Sequence, residues 1–103
     1  MFNASEGQVD RIFLALGDQT RRAILLRLSA SPGATTSELA DRAPGLTRWA
    51  VMKHLAALRE ARLIVTMPEG RWRRHYLQPD GFEPASTLLT ELAAEPVAVT
   101  PDP

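Results

Sequence analysis

The stretch that decides the fold runs from residue 46 to residue 61 and reads LTRWAVMKHLAALREA. Its apolar residues Val51, Leu55 and Leu58 recur at i, i+4 and i+7, which is the spacing of one face of an α-helix. Thr47 precedes this pattern, where its hydroxyl can accept a free amide of the first turn. The pattern therefore predicts a capped helix over residues 47–61, about four turns long.

The opposite face of this helix carries side chains that are unusual for a surface exposed to water. They are Trp49, Met52, Lys53 and Ala56, which share one side at i, i+3, i+4 and i+7. A large aromatic and a flexible thioether suit docking into a groove, so we expect these four residues to form a docking face. The alternative is that Trp49 and Met52 are core, which requires a helix buried on both sides. A chain of 103 residues can hardly provide that much core.

The length and composition of the chain restrict its class. Its 103 residues predict one domain over residues 1–94, followed by a disordered tail over residues 95–103, which contain three prolines. The absence of cysteine excludes disulfides and thiolate metal sites. The chain has neither a bilayer-spanning apolar run nor the basic and apolar segments of a signal peptide. We therefore expect a cytoplasmic protein that does not bind membranes.

The charge of the chain is zero overall but unevenly distributed. Residues 46–77 hold seven basic and two acidic side chains, a net charge of +5. Residues 78–103 hold five acidic side chains and no Lys or Arg, while residues 1–45 balance. A basic middle beside an acidic end is typical of proteins that bind nucleic acid, with an unevenly charged solvated surface as the alternative.

The segments on the N-terminal side of residue 46 have the patterns of three helices. Residues 8–16 carry an apolar stripe, and Asp18 or Thr20 caps the next helix. The capping box in residues 35–38 begins a third helix of about two turns. The sequence APG at residues 43–45 ends it, and the 47–61 helix begins at once. A short helix, a tight turn and a second helix form a helix-turn-helix.

The segments on the C-terminal side have the patterns of a β-hairpin and a last helix. Residues 63–67 are apolar and β-branched, residues 68–71 favour a turn, and residues 72–77 alternate apolar and basic side chains. After the breaker at residues 79–81, a helix is expected over residues 82–94. The predicted fold is mainly α with a small β-hairpin (α+β), a winged helix-turn-helix in the order α-α-α-α-β-β-α.

Five segments follow one another in an order that is more specific than any of them alone. They are FLALGDQTRRAIL at residues 13–25, SELA at 37–40, VMKHL at 51–55, LREARL at 58–63 and RWRRHYL at 71–77. The ordered set resembles the ArsR/SmtB family of winged-helix repressors. The resemblance implies a dimeric DNA-binding transcriptional regulator that reads a palindromic operator with the 47–61 helix and flanking DNA with the wing over residues 64–77.

The resemblance and the charge pattern together indicate a set of DNA-binding residues. We expect Arg48 and Lys53 to contact phosphate or a guanine edge, and Trp49 and Met52 to pack on thymine methyls or sugar. The wing arginines are expected to grip flanking backbone or the minor groove. The predicted set is Thr36, Thr47, Arg48, Trp49, Met52, Lys53, His54, Arg71, Arg73 and Arg74.

Apolar residues outside the helix-turn-helix predict a homodimer. The first and last helices carry stripes that so small a domain cannot cover by itself, and pairing them across a two-fold axis would bury both. The family resemblance implies the same interface, while the alternative is that the last helix packs only within its own chain. The predicted interface residues are Val9, Ile12, Phe13, Leu16, Phe82, Ala85, Leu88, Leu89 and Leu92.

Two departures from the family pattern concern the 47–61 helix. Trp49 and Met52 stand where many members have small polar residues, so base contacts should be more apolar here. Arg62 replaces the glycine that usually precedes the first wing strand. This puts a left-handed turn in doubt, since arginine tolerates a positive φ poorly.

The sequence predicts neither a metal nor another cofactor. Residues 39–41, Leu-Ala-Asp, stand where the family's paired cysteines are expected, and the last helix offers only Glu83 and Glu91. His54 and His75 are expected to be structural or to face phosphate, because a transition metal usually needs three or four convergent ligands. The inducing signal stays open between a small organic ligand, a partner protein and the protein level alone.

An enzyme is not expected, because the chain has no Gly-rich phosphate loop, no Ser-His-Asp set and no metal-binding cluster. One alternative from another class is a winged-helix interaction module, such as an anti-regulator, that buries Trp49 and Met52 against a partner protein. The placement of Arg and Lys on both helix and wing favours DNA. Binding to random duplex that falls steeply with salt would separate the two.

Overall fold

The computed structural model describes residues 4–94, so the expected disordered tail, residues 95–103, lies outside the described residues. The elements in chain order are α1 (Ala4–Leu16), α2 (Gln19–Ala30), β1 (Ala34–Thr35), α3 (Thr36–Asp41), α4 (Arg48–Glu60), β2 (Ile64–Glu69), β3 (Trp72–Leu77), a 3₁₀ turn (Pro79–Phe82) and α5 (Glu83–Ala93). The predicted winged helix-turn-helix is confirmed, with α3 and α4 as its helix-turn-helix and β2 and β3 as its wing.

Side-chain caps fix the beginnings of α2, α3 and α4. Asp18, rather than Thr20, caps α2 by accepting a hydrogen bond from a first-turn amide at 3.0 Å. Thr35 and Glu38 form the predicted capping box, with hydrogen bonds of 3.1 and 2.8 Å. Thr47 accepts a first-turn amide of α4 at 3.0 Å. Each cap satisfies a backbone donor that the first turn of a helix leaves free.

The wing is part of a three-stranded sheet, not an isolated hairpin. β1 pairs antiparallel with β3, so the strand order is β1-β3-β2 and Ala34 lies opposite His75. Gly33, at φ 86°, donates its amide to the carbonyl of His75 at 2.9 Å. Sequence reasoning missed β1 because two residues are too few to show a period. The consequence is that the wing is tied to the start of α3.

The predicted inner face of α4 lies in the centre of the core. Val51, Leu55 and Leu58 are at most 1% exposed, which confirms the amphipathic pattern. The remaining buried apolar side chains come from α1, α2, β1, α3, β2 and α5, and from the turn between α4 and β2. They are Ile12, Ala15, Ile24, Leu25, Leu28, Ala34, Leu39, Ala61, Leu63, Ile64 and Ala85.

The C-terminus of α4 keeps the left-handed turn although an arginine occupies it. Arg62 has φ 61°, its amide donates to the Arg59 carbonyl at 2.9 Å, and the Leu63 amide donates to the Leu58 carbonyl at 3.0 Å. This pair of bonds is a Schellman motif. Gly81 of the 3₁₀ turn lies so close that a side chain there would overlap the Arg62 carbonyl. The left-handed turn and this close contact together fix the direction of β2 relative to α4.

Candidate nucleic-acid interface

The docking face of α4 is exposed. Trp49 is 67% and Met52 is 52% exposed, so the alternative that these residues belong to the core is wrong. Nζ of Lys53 lies 5.0 Å from the centroid of the Trp49 ring, which is a cation–π contact. The helix therefore presents a flat aromatic surface with a cation resting on it.

A groove separates α4 from the wing, and we call it the helix–wing groove. It consists of two hollows of about 440 and 120 Å³, which share Thr36, Met52 and Arg73 as lining residues. Four arginines line one or both hollows: Arg48, Arg59, Arg71 and Arg73. Met52 thus lies at the junction of an apolar helix face and a basic channel.

The arginines of this groove retain most of their hydrogen-bonding capacity. Among the described residues, none of the four forms an ion pair. An Nη of Arg48 donates to Ser37 Oγ at 2.7 Å, and an Nη of Arg59 donates to Thr66 Oγ1 at 3.3 Å. A guanidinium has five N–H donors, so each of these bonds leaves several free for an anion. The groove has the charge and the donors to hold one strand of phosphates.

The three wing arginines, Arg71, Arg73 and Arg74, do not share one surface. Side chains alternate along β3, and the face that points into the helix–wing groove carries Arg73 and His75. Arg74 lies on the other face, where its Nε is 3.0 Å from Oε1 of Glu69 and an Nη donates to the Gly33 carbonyl at 3.0 Å. The ion pair with Glu69 raises the pKa of Arg74 and offsets its charge.

Thr36, whose predicted contact with DNA stays a prediction, is almost completely buried by the fold. It is 7% exposed, and its Oγ1 lies 2.9 Å from Nε2 of His75. Nδ1 of the same imidazole lies 2.9 Å from Thr66 Oγ1. Burial, and then the charges of Arg59 and Arg73, lower the pKa of His75 from 6.5 to about 4. A neutral His75 therefore joins α3 to both wing strands, and Thr36 supports the groove from beneath.

His54 points away from the groove, toward the start of α2. Its Nδ1 lies 3.3 Å from an Nη of Arg21 and 3.8 Å from Oδ2 of Asp18. Arg21 is itself anchored to α1, since its Nε donates to the Ala15 carbonyl at 2.8 Å. His54 therefore joins α4 to α2, and its predicted contact with DNA stays a prediction. The hydroxyl of Thr47 is likewise used as a helix cap, although its side chain is exposed.

Arg59 is the residue of this site that sequence reasoning missed. Arg48, Met52 and Arg59 stand at i, i+4 and i+11, which places them within about 40° of one another around a helix. The spacing of these three residues can be read from the sequence. The sequence does not indicate that their stripe faces the wing, rather than the neighbouring stripe with Trp49 and Lys53.

The predicted dimer surface is partly buried inside the protomer. Ile12 is 0% and Ala85 is 3% exposed in the single chain, so these two residues have no area left for a partner. Phe13, Leu89 and Leu92 are 37%, 51% and 72% exposed on two helices that pack against each other. A hollow of about 340 Å³ opens between the end of α1 and α5 and is lined by Leu89 among others. An exposed apolar surface therefore remains, but it is smaller than predicted.

The described residues include no group of three or more His, Cys, Asp or Glu side chains that could hold a metal ion. The prediction that the protein senses no metal remains a prediction. No helix within residues 4–94 has the length and hydropathy needed to cross a membrane.

A helix-turn-helix with an exposed basic second helix, followed by a basic wing, defines the class of winged-helix DNA-binding proteins. Residues 16–66 match the family model of a helix-turn-helix domain. The chain is 44% identical over 83 residues to the HTH-type transcriptional regulator Rv2034 of Mycobacterium tuberculosis, which covers 81% of this chain and 73% of that protein. It is 42% identical over 72 residues to the HTH-type transcriptional regulator YuzN of Bacillus subtilis, covering 65% and 78% of the two chains.

A solved structure narrows the class further. The crystal structure of the ArsR family transcriptional regulator RHA00566 has a TM-score of 0.77 and 37% identity, and covers 89% of this chain and 92% of that one. The chain belongs to the ArsR family, as its sequence predicted. It is a DNA-binding transcriptional regulator and not an enzyme.

Proposed function

We propose that this regulator acts as a homodimer that binds a palindromic operator and represses transcription. In this proposal α4 enters the major groove, and the helix–wing groove receives the phosphate backbone beside it. The observation that carries the proposal is the convergence of four arginines on the side of α4 that carries Met52, none of which forms an ion pair within residues 4–94. A regulator has to reach the chromosome, so we place its action in the cytoplasm.

The phosphate contacts supply affinity. Arg48 and Arg59 lie near the two ends of α4, and Arg71 and Arg73 face them from the wing. If each of these four arginines neutralises one phosphate, the logarithm of the association constant for DNA should decrease linearly with the logarithm of the salt concentration. The slope should be about −4 for one protomer and about −7 for a dimer. This attraction does not depend on sequence, because phosphates are the same at every base pair.

Sequence preference is assigned to the docking face. Met52 has no hydrogen-bond donor, so it discriminates through apolar contact, for which the methyl group of thymine is the target in the major groove. Lys53 is the donor next to it and suits a guanine edge. The cation–π contact with Trp49 restrains Lys53 before DNA arrives, which lowers the entropy lost on binding.

The homodimer is supported by the exposed apolar side chains Phe13, Leu89 and Leu92 on α1 and α5. Covering them with the same surface of a second copy would bury both and give a closed two-fold pair. Two recognition helices about 34 Å apart would then reach successive major grooves of a palindrome. Residues 78–103 have five carboxylates and no Lys or Arg, so this end suits the side remote from DNA.

A second candidate is an interaction module whose docking face binds a protein. The exposure of Trp49 and Met52, 67% and 52%, favours it, because aromatic residues and methionine are common at protein interfaces. An ordinary protein partner on the docking face would leave the arginines of the helix–wing groove without a role. An acidic protein that mimics DNA would contact both the docking face and these arginines.

A selection from random duplexes tests the proposal and separates the two candidates. The full chain is incubated with randomised DNA, and the selected duplex is titrated by fluorescence anisotropy at stepped salt concentrations. We expect a palindromic consensus, two protomers per duplex and the steep salt dependence given above. Enrichment of no sequence, together with a salt slope below about 2 in magnitude, would reject the DNA reader in favour of a protein partner.

A further inference from the structure

A second concave surface lies outside the helix–wing groove and shares no lining residue with it. This α2–α3 cleft has a volume of about 600 Å³ and is bounded by α2, by α3 and by the turn that leads into α4. Its volume lies in the range of small-molecule sites, about 300–1,000 Å³. Neither the DNA contacts nor the proposed dimer uses it.

The lining of this cleft combines an apolar wall with two cations. Ile24, Leu39 and Leu46 form the apolar side, and Arg27 and Arg42 contribute guanidinium groups. The remaining lining residues are small or neutral: Gln19, Thr20, Ala23, Ala43, Pro44 and Gly45. Among the described residues no carboxylate lines the cleft, so its two guanidinium groups favour an anion.

Arg27, which lines the α2–α3 cleft, has a hydrogen-bond donor without a partner among the described residues. Its Nε is buried and has no hydrogen-bond partner among the described residues. The hydrogen bonds from Thr35, and to a smaller extent the charges of Arg74 and Arg27, lower the pKa of Glu38, whose Oε1 accepts the Thr35 amide at 2.8 Å. A buried donor without an acceptor costs free energy, so a movement of the Arg27 side chain that lets a bound carboxylate accept from Nε and an Nη with two parallel bonds would relieve this cost.

We propose that the α2–α3 cleft binds a small amphipathic carboxylate. The carboxylate pairs with Arg27 and is assisted by Arg42, while the apolar body packs against Ile24, Leu39 and Leu46. Both parts of the ligand are required, because the lining of the cleft contains both guanidinium groups and apolar side chains.

The position of the cleft couples the ligand to α4. Pro44, Gly45 and Leu46 line it, and Thr47, the cap of α4, is the next residue. Gly45 has φ 85°, and the Leu46 amide donates to the Ala43 carbonyl at 3.1 Å, so the turn has a defined conformation that a ligand contacts directly. A ligand that binds one conformation of the turn better than another changes DNA affinity if DNA also binds these conformations with different affinities, and this part alone rests on the proposed function.

Sodium octanoate is a suitable probe. Acetate, which lacks the apolar chain, and octanol, which lacks the charge, are the comparison compounds. The full-length protein, labelled with ¹⁵N, is titrated with each compound and followed by its amide shifts. We expect saturable shifts from octanoate at residues 19–27 and 42–46, and binding at least about tenfold weaker for acetate and for octanol. Equal binding of acetate or octanol, or octanoate shifts spread over the exposed arginines, would overturn the proposal.

Three variants test the assignment. Arg27→Gln removes one of the two cations of the cleft, and Arg11→Gln is the matched control, since Arg11 is exposed on α1 outside the cleft. Octanoate should bind Arg27→Gln at least about tenfold more weakly and Arg11→Gln unchanged. Ala23→Phe fills the cleft from an exposed position and should also abolish binding while thermal unfolding stays cooperative. Equal octanoate affinity in all three proteins would overturn the site.

The coupling is measured separately. At saturating octanoate, operator affinity should change by at least about fivefold in the wild type and not in Arg27→Gln. Amide shifts in the cleft without any change in operator affinity would overturn the coupling. Failure of DNA binding without octanoate would instead contradict the proposed function, so the two failures are distinguishable.

Discussion

Oγ1 of Thr36 and Nε2 of His75 lie 2.9 Å apart, which joins the first residue of α3 to β3, the central strand of the sheet. The two residues are 39 positions apart in the chain. On its other side the imidazole lies 2.9 Å from Oγ1 of Thr66 in β2. One buried side chain therefore sets the distance between the helix-turn-helix and the wing, and with it the width of the helix–wing groove.

The first prediction concerns the pH dependence of stability. Burial lowers the pKa of His75 from 6.5 to about 4, so the unfolded chain binds more protons than the folded one between these values. The free energy of unfolding should fall as the pH falls through this window, by at most about 1.4 kcal/mol per pH unit. Urea unfolding of the wild type and His75→Gln measures it. The variant keeps His54, so the difference in pH slope between the two proteins reports His75; equal slopes would contradict its titration.

The second prediction compares neighbours on one strand. Arg73→Ala removes a cation from the helix–wing groove, so it should weaken binding to all sequences alike and reduce the magnitude of the salt slope by about 1 per protomer. Arg74→Ala is the matched control, because Arg74 lies on the other face and pairs with Glu69. It should leave the slope unchanged. Equal loss of slope in both variants would mean that the two faces of the wing contribute alike.

The third prediction concerns base reading by the docking face. Trp49→Ala and Met52→Ala should change the preference between sequences more than the salt slope, because neither removed group is charged. Replacing thymine by deoxyuridine in the selected operator removes one methyl group at a time. If Met52 packs on such a methyl, the replacement should cost the wild type about threefold to fivefold in affinity, and Met52→Ala almost nothing. If the replacement lowers the affinity of both proteins equally at every thymine, Met52 does not contact a thymine methyl group.

The fourth prediction concerns the dimer. Leu89→Glu places a charge in the exposed apolar surface of α5, so the protein should be monomeric in sedimentation equilibrium at micromolar concentration and bind the operator at least about a hundredfold more weakly. Leu26→Glu is the control, since Leu26 is 72% exposed on α2, outside the predicted interface. It should remain dimeric. A wild type that is monomeric and still binds a palindrome as one unit would reject the dimer.

The fifth prediction concerns the left-handed residue after α4. Arg62 has φ 61°, which costs a non-glycine residue about 1–2 kcal/mol. Arg62→Gly should therefore raise the free energy of unfolding by about 0.5–1 kcal/mol, a gain reduced by the larger entropy of glycine in the unfolded chain. Arg62→Ala removes the charge but keeps the strain, so it should change stability much less. A gain of equal size in Arg62→Ala would assign the effect to the charge.

Local patterns in the sequence determined most of the fold. The i, i+4, i+7 spacing of Val51, Leu55 and Leu58 placed α4, and the caps at Thr35 and Thr47 placed the beginnings of α3 and α4. These signals are legible because helix periodicity and capping depend on residues within about four positions of each other. The five family-like segments are local patterns as well, and their order along the chain indicated the family.

The assignment of side chains to surfaces was decided by the tertiary structure alone. The sequence grouped Arg73 with Arg74 and Ile12 with Phe13, but packing separates both pairs: Arg74 turns away to Glu69, and Ile12 enters the core. The burial of His75 between two threonines and the pairing of β1 with β3 depend on contacts between residues far apart in the chain. No local pattern encodes such contacts, because they form only when the hydrophobic core brings the elements together.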